Sequence, residues 1–224
     1  MSGPAASLAF ARFDSAGRQE WLMRIGAEDA PPILFVPPLF EEMNRTRALL
    51  AGVMRQLAAR GFGCWLPDLS GTGESEWDLS EVAWNDWRHD VTSAGAYITE
   101  KAGQPLLASL RGGVLLDDGA EARGWWRFAP ADGLALQRDM VRAGLAGVEW
   151  AGYNPDDALK AGLAGATARD VAPLRTVRLA TDAQPADLKL DGPALWRRSE
   201  PGTSDELAEA LAVDLAEWSR LCAG

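Results

Sequence analysis

Histidine is almost absent from this chain. His89 is the only one in 224 residues, so a mechanism that needs an imidazole base in the C-terminal half has nothing to supply it. Cysteine is nearly as scarce. Cys64 and Cys222 stand far apart, with no Cys-x-x-Cys and no Cys/His cluster, which excludes a zinc or iron–sulfur site of the usual spacing and any disulfide framework. Neither a metal nor a cofactor is expected. Long apolar runs are missing too: nothing approaches the roughly 20 residues that span a bilayer. Met1-Ser2-Gly3-Pro4-Ala5 carries no basic segment, and the apolar stretch after it is broken by Arg12, so the N-terminus does not read as a secretion signal. A cytoplasmic location is the resulting expectation. Positive charge is in deficit, with 22 Lys and Arg against 32 Asp and Glu and a net charge of −10. Such a surface repels nucleic acid and anionic membrane. A small molecule remains the expected partner, and the oligomeric state stays open.

What is present is an alternation of strands and helices. Ser7–Phe13 and Arg18–Ile25 flank Asp14-Ser15-Ala16-Gly17, a hairpin signal. Ile33–Val36, Phe62–Leu66 and Leu106–Leu110 are continuous apolar runs, the mark of strands buried on both faces. Gly124–Ala129, Arg175–Ala180 and Pro193–Arg197 read as further strands, and Val148–Ala151 as an extended piece. Between them lie helical patterns: one capped by Asn44 and closed by Gly61, one over Ser80–Glu100, a short one from Gly112 and one over Gly133–Ala143. Asn154-Pro155-Asp156-Asp157 opens another, with Asn154 as cap. Thr203-Ser204-Asp205-Glu206 is a capping box for the last helix, whose apolar face is Leu207, Leu211, Leu215, Trp218 and Cys222, with Glu209, Asp214 and Glu217 outside. The pattern predicts one α/β domain over residues 1–224, with an N-terminal antiparallel hairpin and a mostly parallel sheet covered by helices on both faces. No internal repeat interrupts it.

Ser109-Leu110-Arg111-Gly112-Gly113 joins a buried strand to a helical segment. The sharp strand-to-helix turn with glycines is similar to the Gly-x-Ser-x-Gly nucleophile elbow of α/β-hydrolases, with Arg111 in the serine position. Asp68-Leu69-Ser70-Gly71-Thr72-Gly73-Glu74-Ser75 resembles the Asp-x-x-Gly-x-Gly-x-Ser loop one strand earlier. Pro37-Pro38-Leu39-Phe40-Glu41-Glu42-Met43-Asn44-Arg45-Thr46-Arg47, with Leu110-Arg111-Gly112-Gly113 and Ala151-Gly152-Tyr153, resembles the second hydrolase family associated with the exosortase A system. Its members occur in bacterial exopolysaccharide and protein-sorting loci. The similarity covers most of residues 8–165, and the Pro37–Asn44 stretch is its most specific part. It implies an α/β-hydrolase fold with a reduced lid, arginine at the elbow, and a small-molecule, glycan or acyl ligand. The chain is shorter than that family around Asp117–Gly124 and after Ala166.

No catalytic residue is assigned. A serine triad needs a histidine near Pro193–Thr203, where there is none; His89 falls on a flanking helix, and Asp182 reads as a loop residue. Ser109 sits one strand residue too early, Cys64 reads as buried, and Ser70 and Ser75 have no visible base. The candidate site is therefore Arg111, Gly112, Glu41, Glu42 and Phe40. Three readings stay open. Arg111 pairs with Glu41 or Glu42 and plugs a former pocket; its guanidinium binds a carboxylate or phosphate, or orients a sugar, with the acids as acceptors; or one of the glutamates acts as base on water. Gly71-Thr72-Gly73 lacks the further residues of a nucleotide-binding loop. Arg123, Arg127, Arg138 and Arg142 read as solvated bases, and Trp77, Trp84 and Trp87 as packing.

Overall fold

A strand with no polar face must be covered on both sides, and the central strands of this chain are. The computed structural model describes residues 7–143, 150 and 152–223. β1 (Leu8–Ser15) and β2 (Arg18–Ile25) form the antiparallel hairpin. Its two-residue turn, Ala16-Gly17, takes positive φ at both positions, the twist that a tight hairpin needs. β3 (Pro32–Val36), β4 (Gly63–Pro67), β5 (Leu106–Leu110), β6 (Trp125–Phe128), β7 (Leu174–Leu179) and β8 (Leu188–Leu190) run parallel to one another. The eight strands lie in the order β1-β2-β4-β3-β5-β6-β7-β8, with β2 antiparallel to both of its neighbours.

Side-chain alternation splits the core in two. Ile33 and Phe35 of β3 join Cys64, Leu106 and Ala108 on one face. There α1 (Glu41–Ala58) and α5 (Asp205–Leu221) pack together, burying Leu49, Leu50, Val53, Leu207, Leu211 and Leu215. Leu34 and Val36 face the other way with Trp65 and Leu107, under Trp87, Val91 and Ile98 of α2 (Trp84–Ala102). Between β6 and β7 the chain inserts α3 (Gly133–Ala143) and α4 (Asp157–Gly165), which pack on each other above that second face.

Several elements start elsewhere than expected. α1 begins at Glu41, not after Asn44. Phe40 is its cap residue, with φ 55° and no side-chain cap bond, and the acids of the first turn suit the helix dipole. α4 is capped by Asp156, whose Oδ1 accepts from the Leu159 amide at 2.7 Å, rather than by Asn154. Pro193–Arg197 is not a strand: Leu195–Arg197 is a 3-10 turn, and the strand is Leu188–Leu190 before it. The segment after the elbow is a 3-10 turn over Arg111–Leu115. Of Val148–Ala151, only Trp150 lies within the described residues, bridged to Tyr153. The last helix is capped by Ser204, one residue after the Thr203 that opens the capping-box pattern, and Asp214 is buried inside it, not exposed.

Candidate functional site

β5 ends against the C-terminal end of β3, and the chain turns sharply there. Arg111 carries the turn with φ 52°, a left-handed conformation that costs a bulky L-residue of the order of 1–3 kcal/mol. The glycines after it are required by space. A side chain at Gly113 would run into the carbonyl oxygens of Val36 and Pro37, and one at Gly112 into Leu39 and Leu136. Two other non-glycine residues with positive φ adjoin this turn: Phe40, two residues before Glu42, and Ala129, just past β6. The strain is thus gathered where β3, β5 and β6 end.

The Arg111 side chain turns onto Glu42. Its Nε lies 3.2 Å from both carboxylate oxygens, and one terminal nitrogen donates to Oε1 at 2.9 Å. The other terminal nitrogen donates to the Ala129 carbonyl at 3.0 Å. The Trp196 ring covers the guanidinium, 4.7 Å from its carbon to the ring centroid, within cation–π range. Only 11% of the Arg111 side chain and 8% of the Glu42 side chain is exposed. Burial raises the Glu42 carboxyl above the ordinary glutamate range, and the Arg111 charge and hydrogen bonds oppose that rise.

The other candidates separate from this pair. Glu41 accepts from Asn44 at 3.2 Å and pairs with Arg45 at 3.4 Å, away from Arg111. Phe40 is buried in an aromatic cluster, edge-on to Trp87, Trp150 and Tyr153 at 5.1–5.7 Å. Gly112 packs under Leu39 and Leu136. His89 is exposed on α2, and Ser109 and Cys64 are fully buried in strands; burial also raises the Cys64 thiol, which suppresses its nucleophilic thiolate. Asp182 follows β7 but pairs with Arg178 at 2.7 Å and accepts from the Gln184 amide. Trp77 is 39% exposed, yet Arg18 lies over its ring at 4.1 Å.

Comparison with known proteins bears on the scaffold. No protein-family profile matches the chain, and no curated protein matches it in sequence. Among solved structures, the thioesterase domain from the curacin biosynthetic pathway aligns with a TM-score of 0.56 at 14% identity, over 95% of this chain and 99% of that one. Est1E from Butyrivibrio proteoclasticus, solved with ferulic acid, gives 0.48 at 12% identity over 62% of this chain and 59% of its own. The epoxide hydrolase VrEH1 from Vigna radiata gives 0.44 at 15% identity, over 55% of this chain. This chain spans 40% of the length of that epoxide hydrolase. The fold is that of the α/β-hydrolases.

The turn after β5 is filled by an ion pair. Trp196, in the segment after β8, and the carbonyl of Ala129 complete the enclosure. Sequence reasoning missed both, because neither residue type signals a contact made across the sheet's end. It also missed two acid–arginine pairs whose acids are buried. Arg127, in β6, donates to both oxygens of Asp117 at 2.8–2.9 Å and is 5% exposed, so it is not a solvated base. Arg175 pairs likewise with Asp214, which also accepts from the Trp126 indole at 2.7 Å. A charged residue inside the strand Trp125-Trp126-Arg127-Phe128 was the available signal. Among the described residues there is no group of three or more His, Cys, Asp or Glu that could hold a metal ion, and no helix long and apolar enough to cross a membrane.

Proposed function

We propose that this chain is a non-hydrolytic α/β-hydrolase-fold protein, a binding protein whose elbow has been converted from a nucleophile turn into a structural ion pair. The carrying observation is the Arg111–Glu42 pair, held under Trp196 and by the Ala129 carbonyl. A carboxylate that is 8% exposed and accepts from a guanidinium on both oxygens is largely shut off from a substrate water, which disfavours Glu42 as a general base. The lack of any histidine beyond His89 removes the usual base for a serine. The motif resemblance sets this reading in a bacterial exosortase or exopolysaccharide system, with a cytoplasmic location and a glycan, acyl or other small-molecule ligand.

The direct test is labelling by a fluorophosphonate probe, alongside an authentic serine hydrolase treated in parallel. No labelled serine is expected in this chain. Stoichiometric modification of any serine, mapped by mass spectrometry, would overturn the proposal.

A further inference from the structure

Beside the elbow, a polar cleft of about 880 Å³ opens along the C-terminal ends of β5, β6 and β7, the end at which open α/β sheets take their ligands. Five guanidinium groups line it, each from a different part of the chain: Arg111 of the elbow, Arg127 of β6, Arg138 of α3, Arg178 of β7 and Arg197 of the turn after β8. Such a gathering is notable in a chain of net charge −10.

Three of the five are already neutralised, Arg111 by Glu42, Arg127 by Asp117 and Arg178 by Asp182. Two are not. Arg138 and Arg197 are exposed, and among the described residues neither guanidinium has an ion-pair or hydrogen-bond partner. The remaining acids of the lining do not answer them. Asp132 caps α3, its Oδ1 accepting from the Ala135 amide at 2.7 Å, and Asp139 has an interaction of its own.

We infer that this cleft is a binding site for a small oxyanion ligand, phosphate- or carboxylate-bearing, whose charge is met by Arg138 and Arg197. The inference rests on the proposal that the region beside the elbow binds rather than hydrolyses. The paired arginines set the shape of the floor and wall; the two unpaired ones supply the charge. Arg forks suit either oxyanion, because two parallel N–H groups match two oxygens of a carboxylate or a phosphate.

The test is calorimetric titration of the full chain with glucose 1-phosphate, inorganic pyrophosphate and citrate, with glucose as the uncharged comparison. Binding of at least one anion and not of glucose is expected, weakening as salt is raised. The double variant Arg138→Ala/Arg197→Ala should lose about tenfold or more in affinity. Arg55→Ala, an exposed arginine on α1 outside the cleft, should change nothing. Binding confined to the phosphate ligands assigns a phosphorylated ligand; binding confined to citrate assigns a carboxylate. Both variant side chains are exposed and unpaired, so a folded double variant is expected, and its circular dichroism checks this. Charge reversal, Arg138→Glu, gives a second reading and should weaken binding further. No binding at roughly 10 mM ligand, or equal affinity in the double variant, overturns the inference. The two proposals fail separately: a fluorophosphonate-labelled serine removes the non-hydrolytic reading and leaves a measured anion site standing, whereas an unlabelled protein that binds none of these anions removes only the site.

Discussion

Arg111 and Glu42 are the residues on which the elbow turns, and their energetics are those of a buried pair rather than a surface one. Desolvating both charges is expensive, and their mutual attraction with the added bond to Ala129 offsets that cost. The consequence is asymmetric. Arg111→Met leaves a buried, unanswered carboxylate and should cost about 3–5 kcal/mol of unfolding free energy. The double change Arg111→Met/Glu42→Leu removes both charges and should recover most of that loss. Urea denaturation of the two single variants and the double variant at neutral pH measures the coupling. Additive losses would show that the pair does not act as a unit. The same asymmetry explains why an arginine can stand in a left-handed turn: the bonds that hold its head group offset the strain in its backbone.

The loop from Asp68 to Ser75 shows how one element is fastened by another. Ser70 places its amide on Asp90 Oδ2 at 2.8 Å, and its hydroxyl lies 3.2 Å from both Asp90 and Glu20. Ser15 and Ser75 complete the cluster at 2.5 and 3.0 Å. Glu20 of β2 and Asp90 of α2 are both buried. Burial raises both carboxyls, and for Glu20 the neighbouring Asp90 charge adds to the rise. A carboxyl raised in the folded state holds its proton where the unfolded chain has released it. Its contribution is therefore complete below the ordinary values of 4.5 and 3.8 and is lost as pH climbs through the raised folded values. Glu20→Gln copies the protonated form, so it should raise the melting temperature near pH 7.5 and leave it little changed near pH 4. A lower melting temperature at both pH values would count against this account. These partnerships mark the limit of what sequence shows. The apolar runs of β3, β4 and β5 announce themselves because burial on both faces demands unbroken hydrophobicity. Leu188-Lys189-Leu190 is too short to show a period, whereas the apolar pattern of Pro193–Arg197, a turn in the fold, reads as the strand. Asp214 falls on the polar side of the α5 pattern, and only the spatial arrival of Arg175 and Trp126 makes its burial tolerable.

Across the whole molecule, the elbow, the loop after β7 and the segment after β8 each hold a side chain with an attachment of its own. The elbow holds Arg111, paired with Glu42. Asp182, after β7, is tied to Arg178. The segment after β8 presents Trp196, its ring against Arg111. Arg111 and its landmarks were legible in the sequence because glycines, prolines and strand spacing fix the turn; the choice of Glu42 over Glu41 was not, since neighbouring helix residues differ in direction by about 100°. This distribution makes a further demand on the variant Arg111→Ser/Glu42→Gln, which introduces a hydroxyl at the turn and removes the stranded charge. A serine hydroxyl at its ordinary pKa is a weak nucleophile until a base takes its proton, and no imidazole stands within the cleft lining. The variant should fold, remain unlabelled by fluorophosphonate and show ester hydrolysis no faster than buffer. Labelling at position 111 would mean that a base other than histidine serves the elbow, with Asp182 the first residue to substitute in search of it.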